Sequence, residues 1–456
     1  MLKAILKVIL FLATSLIYLY LLPGGSYLFY LFYIAVLSLS FRYDRKYTDV
    51  YYLSYLIFSF WGVVAAASYY VSYGETFAPY VDDTFYFKNI NTVLSGEFDS
   101  DLTLYEIVVG LIYLPFSSFK EIVHLDLLPF NWFIGSLAVG QAIKLARQFY
   151  PLKNKIYTLG AFLLIVANSN FLEGSVHLYR DGFMAFFLLI CLNKATEGKY
   201  VVALIFAVFT GLIRGANGAL ALFYIAIMFI FSRNLIRSKS QAGVVISIFL
   251  LVVILGDQMI GYSNYMRSFN SEGSTDNISM TERISNRYDK FLDEDMGGVG
   301  GMLQSGNPVL MAAALPITMI SPIQVKPFVR AEYSDAWGWI VRFRSEGFWE
   351  IGNILLWSFC FYPIILGIWV MIKDKNLKHF GAVLFFLTTL IAISYVSMQL
   401  RHKIGYIILF PILYNAYYTH REKFNRRNVI FIQGCTFAVL LLYNIYSLTS
   451  QYLVNF

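Results

Sequence analysis

Val50-Tyr-Tyr-Leu-Ser-Tyr-Leu-Ile-Phe-Ser-Phe-Trp-Gly-Val-Val-Ala-Ala-Ala-Ser-Tyr-Tyr-Val71 runs without a single charged side chain. About 20 predominantly apolar residues are enough to cross a bilayer as a helix. The chain then turns abruptly polar, in Gly74-Glu-Thr-Phe-Ala-Pro-Tyr-Val-Asp-Asp-Thr-Phe-Tyr86, where Asp82 and Asp83 stand side by side. An uncharged span that delivers two carboxylates to its far end decides the class of the protein and points to where its chemistry sits.

The rest of the sequence agrees. Of 456 residues, 58% are hydrophobic and 14% charged, and the mean hydropathy is +0.61. Soluble domains carry about 25% charged residues, so a soluble enzyme is excluded and an all-α, polytopic integral membrane protein is expected. Thirteen spans are read near 3–22, 26–41, 50–71, 128–146, 156–171, 178–193, 200–213, 217–232, 243–261, 348–372, 379–397, 403–419 and 428–449. Two further apolar pieces, 104–116 and 307–323, are short or interrupted by proline and read as re-entrant or interfacial segments. Lys3 and Lys7 precede a first apolar run long enough to span, so that run reads as a retained helix.

Short-loop lysines and arginines set orientation. Six basic clusters, among them Arg42 with Arg45 and Lys46, Lys144 with Arg147, and Lys373 with Lys375, fall on one side of this span list. That side is the cytoplasm, and it holds the N-terminus. The net charge of +7 therefore orients the chain in a membrane, and nucleic acid is not an expected partner. Cys191, Cys360 and Cys435 are scattered in apolar runs and suggest neither a zinc site nor a disulfide framework. The chain is one integral membrane domain, 1–456, with two long outer loops at 72–127 and 262–347.

Charged residues at the outer ends of spans are costly and so are candidates for function. Glu173, His177, Arg180 and Asp181 cluster between two spans, with a local Arg180–Asp181 pair as the plain structural alternative. Arg214 sits in a tight outer turn, where a snorkelling interfacial arginine is the alternative. Arg401, His402 and Lys403 precede another span on the same side. Arginine forks suit bidentate binding of phosphate. Facing these cations, Asp82 or Asp83 could take a proton from a hydroxyl, and a dry shared site would push their two pKa values apart. A glycine run at Gly297, Gly298, Gly300 and Gly301 suits a hinge. Together the parts fit group transfer from a lipid phosphate carrier, in which the protein stabilises the leaving phosphate and deprotonates the acceptor.

Asp82-Asp83-Thr-Phe-Tyr-Phe-Lys-Asn-Ile-Asn-Thr-Val-Leu-Ser-Gly96, followed by Leu104-Tyr105, resembles the first outer loop of GT-C lipid-dependent glycosyltransferases. Tyr179-Arg180-Asp181-Gly182, Leu212-Ile-Arg214 and Leu400-Arg-His-Lys403 resemble segments of the bacterial repeat-unit polymerases that build O-antigen and capsule polysaccharide. Arg287 and Gly298 also match the arginine-to-glycine spacing described for the outer loops of those polymerases, whereas the first outer loop lacks a comparable arginine pattern. The resemblance implies an enzyme of the bacterial inner membrane acting on a polyprenyl-linked oligosaccharide. Asp82 or Asp83 would be its catalytic carboxylate. His177, Arg180, Arg214, Arg287, Arg401, His402 and Lys403 would bind substrate. Membrane lipids and other polysaccharide assembly proteins, such as a chain-length regulator, are the implied partners. No cofactor is required by this reading, though a divalent metal would be compatible with it. A GT-C transferase adding one sugar, or a flippase for lipid-linked oligosaccharide, would share much of this sequence. A flippase would carry polar residues near the bilayer midplane, yet spans 50–71 and 243–261 carry almost none, Asp257 being the main exception.

Overall fold

The computed structural model describes residues 2–24, 27–42, 48–77, 82–98, 102–232, 308–334, 338–374, 376–396 and 403–455. The expected span 243–261, Asp257, the glycine run at 297–301, Arg287, Arg401 and His402 lie outside the described residues.

The uncharged stretch that opened the reading is the helix α3, Thr48–Tyr73, preceded by α1 (Leu2–Leu16) and α2 (Leu28–Arg42). Two short helices follow, α4 (Asp82–Leu94) and α5 (Leu104–Ser117). The bundle continues with α6 (His124–Phe149), α7 (Lys155–Val166), α8 (Ser169–Val176), α9 (Asp181–Thr196), α10 (Tyr200–Ile213) and α11 (Gly215–Ser232). After the undescribed segment come α12 (Pro308–Ile320), a hairpin of β1 (Val329–Ser334) and β2 (Gly338–Phe343), and α13 (Glu346–Lys373). The chain ends with α14 (Leu377–Val396), α15 (Ile404–Ile407), α16 (Phe410–Thr419) and α17 (Arg426–Asn455).

Among the described residues, three helical stretches are long and apolar enough to cross a membrane: Asp49–Tyr73, Glu346–Lys373 and Arg426–Thr449. A fourth crossing arises if the bent pair α7–α8 counts as one. Six further apolar stretches, among them Tyr200–Ile213 and Leu377–Ile391, are shorter, and α6, though 26 residues long, falls in neither group. The expected span 156–171 is broken, because α7 and α8 meet at a 60° bend. The Asn168 side chain causes the restart, accepting from the Asn170 and Phe171 N–H groups to cap α8. The expected span 403–419 is likewise divided into α15 and α16, and Pro411 stands in the first turn of α16, where its missing N–H costs nothing. The two ambiguous pieces are single helices of 14 and 13 residues. At 1.5 Å per residue each is about 20 Å long, short of the roughly 30 Å hydrocarbon core. The β-hairpin is the departure from an all-α chain; its antiparallel register pairs Val329 with Phe343 and Arg330 with Arg342.

The α6 helix is buried on nearly every side and packs against α2, α3, α8, α9 and α16. Lipid tails supply no hydrophobic drive between helices, so close approach through small residues does much of the work. At Gly140 the Tyr51 ring occupies the space a side chain would need. At Gly174 the Ile404 side chain and Asp181 Cβ crowd the same position, which draws α8, α9 and α15 together.

Overpacking typically costs about 1–3 kcal/mol. Gly140→Leu is therefore expected to lower the thermal midpoint of the detergent-solubilised protein, read by size-exclusion after heating. Gly352→Leu, on α13, is the contrast: nothing lies within 4 Å of a Cβ there, and the midpoint is expected to hold.

Candidate functional site

Asp82 and Asp83 form the first turn of α4, where carboxylates meet the positive end of the helix dipole. Successive helix residues do not face each other, and the two side chains diverge in burial. Asp82 is half-buried, while Asp83 is completely buried and turned into the bundle. Asp83 Oδ1 accepts a 2.6 Å hydrogen bond from the Leu178 N–H and lies 3.5 Å from His124 Nε2. Its Oδ2 is 3.1 Å from His177 Nδ1. The partners of Asp83 are thus two histidines and a backbone amide, and the expected carboxylate pair sharing a dry site is not formed. Burial by itself would raise the Asp83 pKa. The charge and hydrogen bonding of His177, with His124 beside it, outweigh burial and hold the carboxyl well below the usual range.

The segment His177-Leu178-Tyr179 that receives Asp83 is fixed from α6 as well. The Asn131 amide donates to both the His177 and Tyr179 carbonyls, and its own Oδ1 accepts from the Tyr105 hydroxyl at 2.9 Å. The next residue, Trp132, donates from Nε1 to the Val176 carbonyl at 3.1 Å. The α8–α9 corner therefore has its backbone groups satisfied by residues 44 to 95 positions away. His177 is 5% exposed, and its ring lies among Tyr69, Tyr179 and Trp349, with centroids 5.8, 5.3 and 6.0 Å away. Burial pushes its pKa down, but the Asp83 carboxylate overrides this and raises it above the ordinary histidine value.

The cations take different roles. Arg214, at the end of α10, donates through Nη1 to Asp181 Oδ1 at 2.7 Å and so pins α10 to the first turn of α9. Its Nη1 is thus committed to an ion pair within the bundle, and it takes the aspartate that local sequence offers to Arg180. Arg180, the residue before α9, keeps a buried Nε with no hydrogen-bond partner. Lys403, before α15, is 2% exposed and has no hydrogen bond or ion pair among the described residues. Glu173 lies one turn before His177 on α8 and is the acidic group that acts on Lys403 electrostatically.

Sequence reasoning missed several members of this region. His124 and Asn131 sit at the start of α6, and an amide inside the apolar run read as span 128–146 is the available signal for Asn131. It also missed a rim on the hairpin side. Arg342 donates to Glu346 Oε1 at 3.0 Å, the Tyr69 hydroxyl donates to the same oxygen at 3.1 Å, and Arg344 pairs with Glu350 at 3.4 Å. Among the described residues no group of three or more His, Cys, Asp or Glu side chains is arranged to hold a metal. No protein-family model matches this chain, and no curated protein matches it.

The direction of each shift fixes the pH behaviour. His177 is raised, so its pairing with Asp83 stabilises fully below about pH 6.5, the ordinary histidine value, and fades as pH rises through the folded value. Asp83 is lowered, so its share is present above about pH 3.9 and is lost only as pH falls through its folded value. Carbon-13 histidine NMR of the detergent-solubilised protein is expected to place the His177 midpoint above 6.5, with the assignment from His177→Gln. Asp83→Asn is expected to move that midpoint down; a midpoint unmoved by Asp83→Asn would show that the carboxylate does not control His177.

Proposed function

We propose that this chain is a glycosyltransferase of the bacterial inner membrane, with thirteen spans and a cytoplasmic N-terminus, that polymerises polysaccharide repeat units at the outer face. The donor is a glycan on polyprenyl pyrophosphate, and the acceptor is a sugar hydroxyl of an incoming lipid-linked unit. The observation that carries this reading is the buried Asp83–His177 pair in a region that also holds two cations, Arg180, whose buried Nε has no hydrogen-bond partner, and Lys403, which makes no hydrogen bond or ion pair among the described residues. A base and anion-binding groups are what the reaction needs, because pyrophosphate is already a good leaving group.

In this mechanism the acceptor oxygen attacks the anomeric carbon of the donor. The carbon–oxygen bond to pyrophosphate breaks, and its electron pair leaves on the pyrophosphate. His177 Nε2 takes the proton of the acceptor hydroxyl. Asp83 fixes the tautomer and ring plane through Nδ1 and raises the basicity of the ring, the role of a carboxylate that orients a catalytic histidine. Arg180 and Lys403 take up the growing negative charge. Asp83 thus acts through His177, since both of its oxygens are already engaged. The aromatic walls at Tyr69, Tyr179 and Trp349 suit the apolar faces of a sugar ring.

The test is the surface-polysaccharide banding pattern of the source cell after deletion of the gene. Loss of the ladder with one repeat unit retained is expected, with restoration by the wild-type gene and failure by His177→Gln or Arg180→Ala. An intact ladder with a mass change of one sugar per unit would shift the assignment to a single-sugar transferase. Loss of all surface glycan, with lipid-linked units trapped inside, would indicate transport.

With membranes and purified lipid-linked units, the elongation rate is expected to fall as pH drops through the raised His177 value, because the protonated ring cannot accept a proton. Removing a general base typically costs 10²–10⁴-fold, so His177→Gln is expected to slow elongation by about that factor. A flat acid limb in the wild type would rule out His177 as the base.

A further inference from the structure

The β-hairpin has two unlike faces. On β2, Ile340 packs on Tyr69 and Tyr73, and Arg342 lies over the Tyr69 ring at 5.6 Å while bonding Glu346. Tyr69 in turn borders His177, so this face belongs to the wall of the polar site. Side chains alternate along a strand, and Val341 and Phe343 point the other way. They are 68% and 38% exposed, and Val329, the cross-strand partner of Phe343, is 52% exposed. A polar outer loop has no reason to hold three apolar side chains on one face in water.

The neighbouring helix shows what covers them. Directly after β2, α13 exposes Phe348, Ile351, Leu355 and Phe359 at helical spacing along one side. This helix is long and apolar enough to span, so the stripe meets acyl chains. The hairpin's apolar face stands at the site end of the same helix and continues the lipid-facing surface in sequence. The hairpin is held there by the Phe343 N–H donating to Ser72 Oγ at 3.0 Å and by the Arg344 N–H donating to the Phe328 carbonyl at 2.7 Å. A two-stranded hairpin has open edges that cannot lie unsatisfied in the hydrocarbon core, which limits its depth to the headgroup boundary.

We propose that the hairpin is a membrane-interface element. Val329, Val341 and Phe343 lie among the first acyl carbons of the leaflet beside the polar site, and the opposite face closes that site from lipid. The inference concerns the bilayer and does not depend on the reaction proposed above.

Collisional quenching tests it on the full chain in lipid nanodiscs. Val341→Cys is labelled with bimane in a Cys435→Ser background, since Cys191 and Cys360 are buried. Phe359→Cys supplies the lipid reference and Glu97→Cys, an exposed site at the end of α4, the water reference. The Val341 probe is expected to be shielded from aqueous iodide as the Phe359 probe is, but to be quenched most by lipids brominated near the headgroup end, whereas Phe359, about 20 Å further along α13, is quenched most by lipids brominated toward the chain ends. Iodide quenching equal to that at Glu97 would overturn the proposal. Shielding from both quenchers that is lost on dilution with lipid would also overturn it, by showing that a second copy covers the face.

Discussion

A carboxylate with no exposure to water cannot stand alone, and the polar end of this bundle is organised around that constraint. Withdrawing an ion from water costs several kcal/mol even after relaxation. Asp83 recovers this through the Leu178 amide and two imidazoles, which come from α6 and from the α8–α9 corner. The same contacts that neutralise it therefore decide where His177 sits. Nearby, Arg214 and Asp181 make a comparable tie between α10 and α9. The two ties differ in kind. Arginine stays charged at any ordinary pH, so the α9–α10 tie is permanent. The α4 tie runs through histidine, whose charge changes within the physiological range.

The local backbone serves the same end. The break between α7 and α8 places a capped, bent pair where an unbroken helix would have carried its side chains past the site. At the corner itself, two carbonyls accept from one Asn131 amide, and the amide between them donates to Asp83. Buried irregular backbone needs partners for its polar groups, and here they come from two other helices. His177 can therefore occupy a non-helical position without leaving orphaned polar groups beside it.

The long spans were legible because no charge breaks the middle of their apolar runs, and Pro363 inside α13 does not end it. The readings 50–71, 348–372 and 428–449 fall within two residues of Asp49–Tyr73, Glu346–Lys373 and Arg426–Thr449. The break in 156–171 was not legible from hydropathy, since averaging over a window hides what Asn168 does to the next turn. The hairpin escaped notice because its alternation is only six residues long on each strand and is dotted with charge. Asp83, His177 and Arg180 stood out as costly polar residues at span ends, and they do lie at the same end of the bundle. Their partners did not stand out. Arg214 reaches Asp181 across 33 residues, and Asp83 reaches His177 across 94. Neither separation leaves a local pattern: adjacency points Asp83 to Asp82 and Asp181 to Arg180, whereas the hydrogen bonds run to His177 and Arg214.

The sequence distance within the Asp83 tie also bears on how the protein is made. A membrane chain is inserted from its N-terminus, so α4 leaves the ribosome well before the corner that neutralises it. Ninety-five residues separate Asp83 from the amide of Leu178. Throughout that interval the carboxylate has no native partner from α8 or α9, and among its partners only His124 of α6 has been made. Its withdrawal into the bundle is therefore a late event of biogenesis, and until it happens the nascent chain has spans but no site.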